Sequence, residues 1–293
     1  MKPGSTREPR RWVGAQLRAV QLARGGARLR QGYGEVSPKL QRRRRAPRAL
    51  MKSRLRVVTL ASIAGVLVTL TSIVLLPIGA ITLFRARRLY SAIARVTSLA
   101  VLGLFGVRLR VHHTTPFPTT QTVYISNHTS TLDLFVLVAL GLPNCRFFLS
   151  GFLRKLVPLG IISWMMGTFF TVPQSRPLER VRIFQRAEGI LRRTGESVYL
   201  SPEGGRITTG AIGHFNKGAF HLATALAAPI VPLYFHTPPE IDPGLGFDAR
   251  PGTVDVYVLP AIDTSGWRVD DVPANRARVR DLYVRVHEAI ACV

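Results

Sequence analysis

Cysteine and acid are both scarce in this sequence. Only two cysteines, Cys145 and Cys292, occur in 293 residues. That excludes a disulfide-stapled fold and a cysteine-rich zinc site. Acidic residues number 16 against 40 Lys and Arg, a net charge of +24. Several catalytic signatures are missing as well. There is no G-x-S-x-G nucleophile elbow, no Walker A loop, no H-E-x-x-H pair and no internal repeat, so the hydrolase, P-loop and zincin chemistries have no motif to start from. What is abundant is apolar: 47% of the residues, which excludes bulk disorder. A mean hydropathy of +0.18 is high for so basic a chain. Basic and apolar residues therefore occupy separate blocks.

Residues 1–56 hold seventeen Lys and Arg and two acids, Glu8 and Glu35. They include the run Arg42–Arg45, and few apolar residues recur at helical spacing. The segment reads as a disordered tail. It fits a nucleic-acid arm, a solvated tail, or a polybasic stretch against anionic lipid, worth about 1 kcal/mol per basic residue. Met51 opens a short basic stretch before an apolar segment, so translation starting there is an alternative. Residues 57–84 carry no charge in 28 positions, more than the ~20 a bilayer-spanning helix needs and longer than a signal-peptide core. Pro77 and Gly79 are expected to break this helix near its end. Arg85, Arg87 and Arg88 follow, then a second apolar stretch, Leu89–Val107, interrupted by Arg95. Basic residues flank the first segment on both sides, so the positive-inside bias selects no simple span. A helical hairpin over 57–110, dipping into one leaflet with both ends cytoplasmic at the inner membrane, fits these charges better. Two full spans, or a single span, are the alternatives.

From residue 111 to 293 short β-rich runs alternate with helical stretches, which predicts an α/β layered domain of sheet and helices. The strands expected are Thr122–Ser126, Phe147–Ser150, Ser197–Leu200, Ile230–Phe235 and Val254–Leu259. Pro177 in a first turn, an apolar stripe of Leu178, Val181, Phe184, Ala187 and Leu191, and Gly195 as C-cap predict a helix over 177–194. Its other face is arginine-rich. Residues 274–291 form a second helix, with Val279, Leu282, Val286 and Ile290 inward.

Two segments concentrate reactive groups just past expected strands. The first is Asn127-His128-Thr129-Ser130-Thr131-Leu132-Asp133. A histidine with a reference pKa of about 6.5 is a general base near neutrality, best when a carboxylate fixes its tautomer. Five residues along one continuous helix would rotate Asp133 about 140° away from His128. The pair meets only if a turn intervenes, and Thr129–Thr131 offer one, with Asp133 opening the helix beyond. On residues alone the alternative is a polar-loop histidine with Asp133 stabilising a helix N-terminus. The second segment is Ser201-Pro202-Glu203-Gly204-Gly205-Arg206. Two glycines permit close backbone approach to a ligand. Arg206 offers a planar fork for phosphate or carboxylate, and Glu203 an acceptor for a hydroxyl. The alternative there is an ordinary loop with a surface ion pair.

Asn127-His128 followed by Asp133 resembles the His, four residues, Asp signature of the glycerolipid acyltransferases, notably the 1-acylglycerol-3-phosphate acyltransferases. Further blocks follow in order. Gly167-Thr168-Phe169-Phe170 is similar to the family's second block, and Pro202-Glu203-Gly204 with Arg206 to its third. Phe215-Asn216-Lys217-Gly218-Ala219-Phe220 resembles the segment after that, and Pro229-Ile230-Val231-Pro232-Leu233 the fourth block. The resemblance covers about residues 111–260. It implies a membrane-bound enzyme that moves a fatty acyl group from acyl-CoA or acyl carrier protein to a lysolipid hydroxyl. His128 would be the base, Asp133 its orienting carboxylate, and backbone donors near Gly204 and Gly205 oxyanion stabilisers. Glu203, Gly204, Gly205 and Arg206, with Asn127, would bind the acceptor, and Pro232 would shape an acyl- or membrane-facing surface. The resemblance implies no metal and no cofactor beyond the thioester co-substrate. The partners expected are the lysolipid, the thioester carrier and anionic head groups, not nucleic acid.

Departures from the family pattern bear on the acceptor. Where the family commonly places a phosphate-holding Arg after the second block, this chain has Pro173, and Arg176 is the substitute expected. Ser201 and Gly205 replace a usual Phe and Thr. Another lysolipid acceptor, a lipid or thioester hydrolase, and a membrane-anchored nucleic-acid-binding protein are the rival readings. His112 and His113 read as surface residues before the first strand. His214 and His221 read as structural, and Cys145 and Cys292 as reduced thiols.

Overall fold

A computed structural model of the chain describes residues 46–113, 116–242 and 248–291. Most of the basic tail, and Cys292, lie outside these residues. Seven strands form one sheet in the order β1-β7-β6-β2-β5-β3-β4. They are β1 Val107–His113, β2 Val123–Ser126, β3 Cys145–Ser150, β4 Phe169–Thr171, β5 Ser197–Leu200, β6 Ile230–His236 and β7 Gly252–Val258. β2 to β6 run parallel. β7 opposes β6 and is parallel to β1. Every residue of the central strands β2 and β5 is buried, as expected for parallel strands covered on both faces.

The helices form the two outer layers. On one face lie α1 Ala46–Ile81, α2 Arg87–Leu104, α3 Asp133–Leu140 and α4 Val157–Met165. On the other lie α5 Pro177–Thr194, α6 Gly218–Leu226 and α7 Val272–Ala291. The pleat sorts strand residues between two cores. Tyr124, Tyr199, Val231 and Leu233 pack with the first helix set. Val123, Ile125, Val198, Ile230 and Tyr234 pack with the second. In parallel strands with right-handed helical crossovers, the loops at the carboxyl ends gather on one edge. Asn127-His128 follows β2 and Ser201–Arg206 follows β5, so both reactive segments leave the sheet from that edge.

The N-terminal part corrects several expectations. The first helix begins at Ala46, inside the stretch expected to be disordered, and continues through Pro77 to Ile81. Pro77 removes one helical hydrogen bond. Packing on both sides of it holds the helix: Leu75 is fully buried, and Gly79 sits close to Phe84 and Met165. Helix α2 is amphipathic, with Tyr90, Ala94, Ser98, Val101 and Leu102 buried, and Arg95 donates to the Ala139 carbonyl of α3 at 3.0 Å. It is a layer of the domain more than a second apolar segment. The domain's first strand begins at Val107, four residues ahead of the expected boundary, and takes in both early histidines. His112 is not a free surface residue. It stacks on Tyr257 at 4.5 Å and pairs with Asp255 at 2.6 Å.

Helix α1 lies along the domain for most of its length. Arg56 reaches the Ala249 carbonyl at 3.4 Å. Ser72 donates to the Pro158 carbonyl at 2.8 Å. Near its other end Gly79 meets Met165. At 1.5 Å per residue these anchor points span about 35 Å. The opposite side of the helix exposes Val58, Val66, Leu70 and Ile73.

Candidate active site

The loop after β2 is held residue by residue. Asn127 is buried, and both ends of its amide are used: Nδ2 donates to the Phe235 carbonyl at 2.9 Å and Oδ1 accepts from the Phe235 amide at 2.8 Å. It pins β2 to β6. This places Asn127 in the scaffold and away from the substrate contact expected of it. Pro232 is likewise an interior strand residue, paired with Ile125. It alternates with Ile230 and Tyr234, whose core is on the face away from α1. The expectation that it shapes a membrane-facing surface fails on that register.

His128 follows. Its amide donates to Glu203 Oε2 at 2.6 Å and its carbonyl accepts from the Ile207 amide at 2.8 Å. Its ring Nδ1 lies 2.8 Å from Asp133 Oδ2. The same oxygen accepts from the amides of Thr129 at 2.7 Å and Ser130 at 2.9 Å. The chain thus turns tightly around one carboxylate, which opens α3, where the helix dipole favours negative charge. The turn creates the contact that a continuous helix would prevent. Asp133 is nearly buried (5% of its side chain exposed), whereas His128 keeps 32%. With Nδ1–H donated to Asp133, Nε2 is the ring nitrogen left as a base.

Two more carboxylates brace this turn. Glu203 is buried, and its other oxygen accepts from the Gly213 amide at 2.8 Å. Burial pushes the Glu203 carboxyl up from its ordinary value, against the two amide bonds that pull it down. Both oxygens are engaged by backbone, so Glu203 ties the third block to the His128–Asp133 turn; the expected contact to a substrate hydroxyl is replaced by these bonds. Asp242, in the loop after β6, is also buried and accepts a hydrogen bond from the Ser130 hydroxyl, which in turn accepts from the Leu132 amide at 2.9 Å. Nothing in the local sequence around Asp242 points to this role, 112 residues from Ser130.

Gly204 has φ +69, a left-handed turn that glycine adopts freely, and a Cβ there would sit 2.7 Å from Asn216 Nδ2. Its N–H donates to the Ser201 carbonyl at 3.2 Å, so this amide is already bonded, unlike the free oxyanion donor expected at Gly204. Nothing crowds Gly205. Arg206 reaches the His128–Asp133 turn and donates to Thr131 Oγ1 at 2.6 Å. Arg176 stands at the start of α5, exposed, 3.5 Å from Glu179. The side chain of Gln174, two residues earlier, lies near Gly204, which brings the segment before α5 to the same rim.

Beside α3, a small apolar cleft opens between the two N-terminal helices and α3, α4 and β3. Its walls include Val68, Ala94, Phe135, Val138, Leu149 and Ile162. A charged cluster that the sequence did not disclose ties α2 to the sheet. Glu196 accepts from Arg146 at 2.6 Å and from Arg87 at 3.2 Å.

Comparison with known proteins agrees with this geometry. An acyltransferase family model matches residues 108–236. The 1-acyl-sn-glycerol-3-phosphate acyltransferase alpha of Ovis aries is 30% identical over 200 residues, covering 68% of this chain and 69% of that protein. The human alpha enzyme is also 30% identical, covering 68% of this chain and 70% of its own. A chloroplastic 1-acyl-sn-glycerol-3-phosphate acyltransferase of Arabidopsis thaliana is 32% identical, over 64% of this chain and 53% of its own length. The crystal structure of the 1-acyl-sn-glycerophosphate acyltransferase PlsC from Thermotoga maritima shares the fold, with a TM-score of 0.67 at 18% identity, over 83% of this chain and 98% of that one. His128, Asp133 and the Glu203–Arg206 segment lie within the residues that the family model matches. The chain is an acyltransferase and belongs to the family of the 1-acyl-sn-glycerol-3-phosphate acyltransferases.

Proposed function

We propose that this acyltransferase moves a fatty acyl group from acyl-CoA or acyl carrier protein to the free hydroxyl of 1-acylglycerol-3-phosphate, giving phosphatidate. The observation that carries the reading is the His128–Asp133 contact at 2.8 Å, with the carboxylate nearly buried and the imidazole partly exposed. Nε2 of His128 takes the hydroxyl proton as the oxygen attacks the thioester carbonyl. The tetrahedral intermediate collapses and expels the thiolate, which recovers the proton from the imidazolium. Asp133 stabilises that imidazolium and fixes its orientation. No covalent acyl-enzyme is formed. Arg206, beside Thr131 on the catalytic turn, is the cation placed to meet the acceptor phosphate.

The outward apolar side of α1 supports seating in lipid. A helix attached to its domain over about 35 Å lies alongside the domain, so burying its outer face brings the domain against the same bilayer. That favours the one-leaflet arrangement, at the cytoplasmic face, over a single span with the domain held apart. There the catalytic edge meets a bilayer-held lysolipid and a soluble thioester together. A second acceptor remains in play because Pro173 stands where the family commonly has an arginine. The test uses membranes containing the wild type and His128→Ala, labelled acyl-CoA or acyl carrier protein, and a panel of lysolipids with and without a phosphomonoester. His128-dependent phosphatidate is expected. Product from another lysolipid alone would change the substrate. Free fatty acid in place of ester, or no His128-dependent turnover, would overturn the reading.

A further inference from the structure

Beyond the ends of β3 and β4 the domain carries an apolar and basic corner that the reaction does not use. Phe152 and Val157 follow β3 and expose 60% and 63% of their surface. Leu178 and Val181, in the first two turns of α5, expose 77% and 53%. In the sequence they continue the inward stripe of Phe184, Ala187 and Leu191, but here the helix overhangs the short edge strand β4 and no core lies beneath them. The two segments share one corner. Ser150 pairs with Thr171 across β3 and β4. Arg180 donates to the Val172 carbonyl at 3.0 Å, and the Arg154 guanidinium lies 4.6 Å above the Phe170 ring. Arg154, Lys155, Arg176 and Arg182, each within two residues of one of these apolar side chains, are exposed as well. Glu179 is the acid among them, and it is paired with Arg176 at 3.5 Å.

We propose that this corner is a second membrane-docking surface, seating on an anionic bilayer in addition to α1. Exposed apolar side chains rimmed by cations match such an interface, where apolar groups enter the acyl boundary and cations meet head-group phosphates. A second copy of this chain would set the same cations against each other. The half of the patch at Phe152 and Val157 also continues the side proposed to face lipid: α4, which starts at Val157, packs against α1 through Ser72 and Pro158. With α1 as one contact and this corner as another, the domain cannot roll about the helix axis. The rim near Gln174 and Gly204 is then held toward the lipid. The inference rests on the proposed lipid substrate, and its test reads docking without turnover.

The experiment uses the full chain with Leu178→Trp, mixed with phosphatidylglycerol or phosphatidylcholine vesicles carrying brominated acyl chains. Native Trp164, exposed and packed against Phe84 at 5.2 Å, reports on the helical hairpin. Added fluorescence from Trp at 178 should be quenched in phosphatidylglycerol, and Lys155→Gln with Arg182→Gln should abolish its preference over phosphatidylcholine. Quenching of Trp164 without quenching at 178 would overturn the second contact and leave the hairpin seated. Quenching of neither would overturn the membrane reading itself. Equal quenching at 178 in both lipids would overturn the anionic surface and the proposal with it.

Discussion

Replacing Asp133 by Asn tests whether its charge, and not only its shape, serves His128. The carboxylate oxygen that meets the ring at 2.8 Å also receives two backbone amides. An asparagine oxygen in that position still accepts from all three donors, so the turn survives in outline. What is lost is the charge that, in the proposed mechanism, faces the imidazolium formed as the hydroxyl is deprotonated. Unit charges centred about 4 Å apart interact by about 4 kcal/mol at the effective dielectric of a partly exposed site. At about 1.4 kcal/mol per decade, kcat should fall on the order of a thousandfold. The neutral ground state hardly feels the charge, so the acceptor KM should stay within about threefold. Added to His128→Ala, the substitution should cost little more, because the two side chains act as a unit. The assay is initial-rate acyl transfer at saturating thioester, with a thermal melt to show that the fold persists. A kcat within about tenfold of wild type in a folded protein would refute the argument, and so would full additivity in the double variant.

Removing Asp242 leaves the buried Ser130 hydroxyl without its acceptor, at a cost of about 1–3 kcal/mol; Asp242→Ala and Ser130→Ala should each lower kcat, and the double variant should be no worse than the poorer single one in a double-mutant cycle. Gly204→Ala forces a Cβ into a left-handed backbone and against Asn216, so it should destabilise by about 1 kcal/mol or more and depress activity, whereas Gly205→Ala, which meets open space, should do neither in melts and rate assays. Burial alone would raise Glu196, but hydrogen bonds from Arg146 and Thr194 and the charges of Arg146 and Arg87 outweigh it and hold its carboxyl below the ordinary value. Its contribution is therefore complete above the unfolded carboxylate range of about 4.3 and is lost as pH falls below it; melting temperature against pH should show an acid limb that Glu196→Gln flattens. Arg206→Ala should raise the acceptor KM with little change in kcat, measured by varying lysophosphatidate at fixed thioester.

The parts of the fold that were legible in the sequence are those written in local periodicity. The apolar runs of β2, β5 and β6, and the 3.6-residue stripe of α7 with Val279, Leu282, Val286 and Ile290 buried, gave the layered architecture. So did the requirement for a turn between His128 and Asp133. Strand β1 was legible and missed: Val107, Leu109 and Val111 alternate with Arg108 and Arg110, a period of two hidden behind the apolar helix that precedes it. The stripe of α5 was read correctly in period but not in extent, because the sheet edge that decides where burial stops is set by β4, a strand of three residues. The bracing of the site was not legible at all. Asn127, Glu203 and Asp242 bind backbone amides, carbonyls or a hydroxyl from segments 75–112 residues away, and no spacing rule reports such contacts.

That distribution has a chemical logic. In the proposed mechanism the reacting group is the His128 imidazole, and the turn that carries it is held at several points by side chains bonded to backbone. The amides of residues 128, 129 and 130 are each held by a carboxylate oxygen, and the chain on either side is tied to β6 by Asn127 and to the Asp242 loop by Ser130. Each of these bonds is modest singly, about 1–3 kcal/mol where a charged acceptor is involved. Together they leave the turn few alternative conformations, which is what a general base requires when misplacement by an ångström costs orders of magnitude in rate. Glu203 therefore links the Ser201–Arg206 segment to the turn that carries His128. Under the proposed role of Arg206, the acceptor phosphate is bound from a loop whose Glu203 carboxylate holds the His128 amide at 2.6 Å. Shortening that side chain, by Glu203→Asp, keeps the charge but withdraws it from the His128 or the Gly213 amide. It should depress kcat and raise the acceptor KM together, whereas Asp133→Asn should move kcat alone. A Glu203→Asp enzyme with wild-type kcat and a raised KM would show that the two segments are not coupled through this carboxylate.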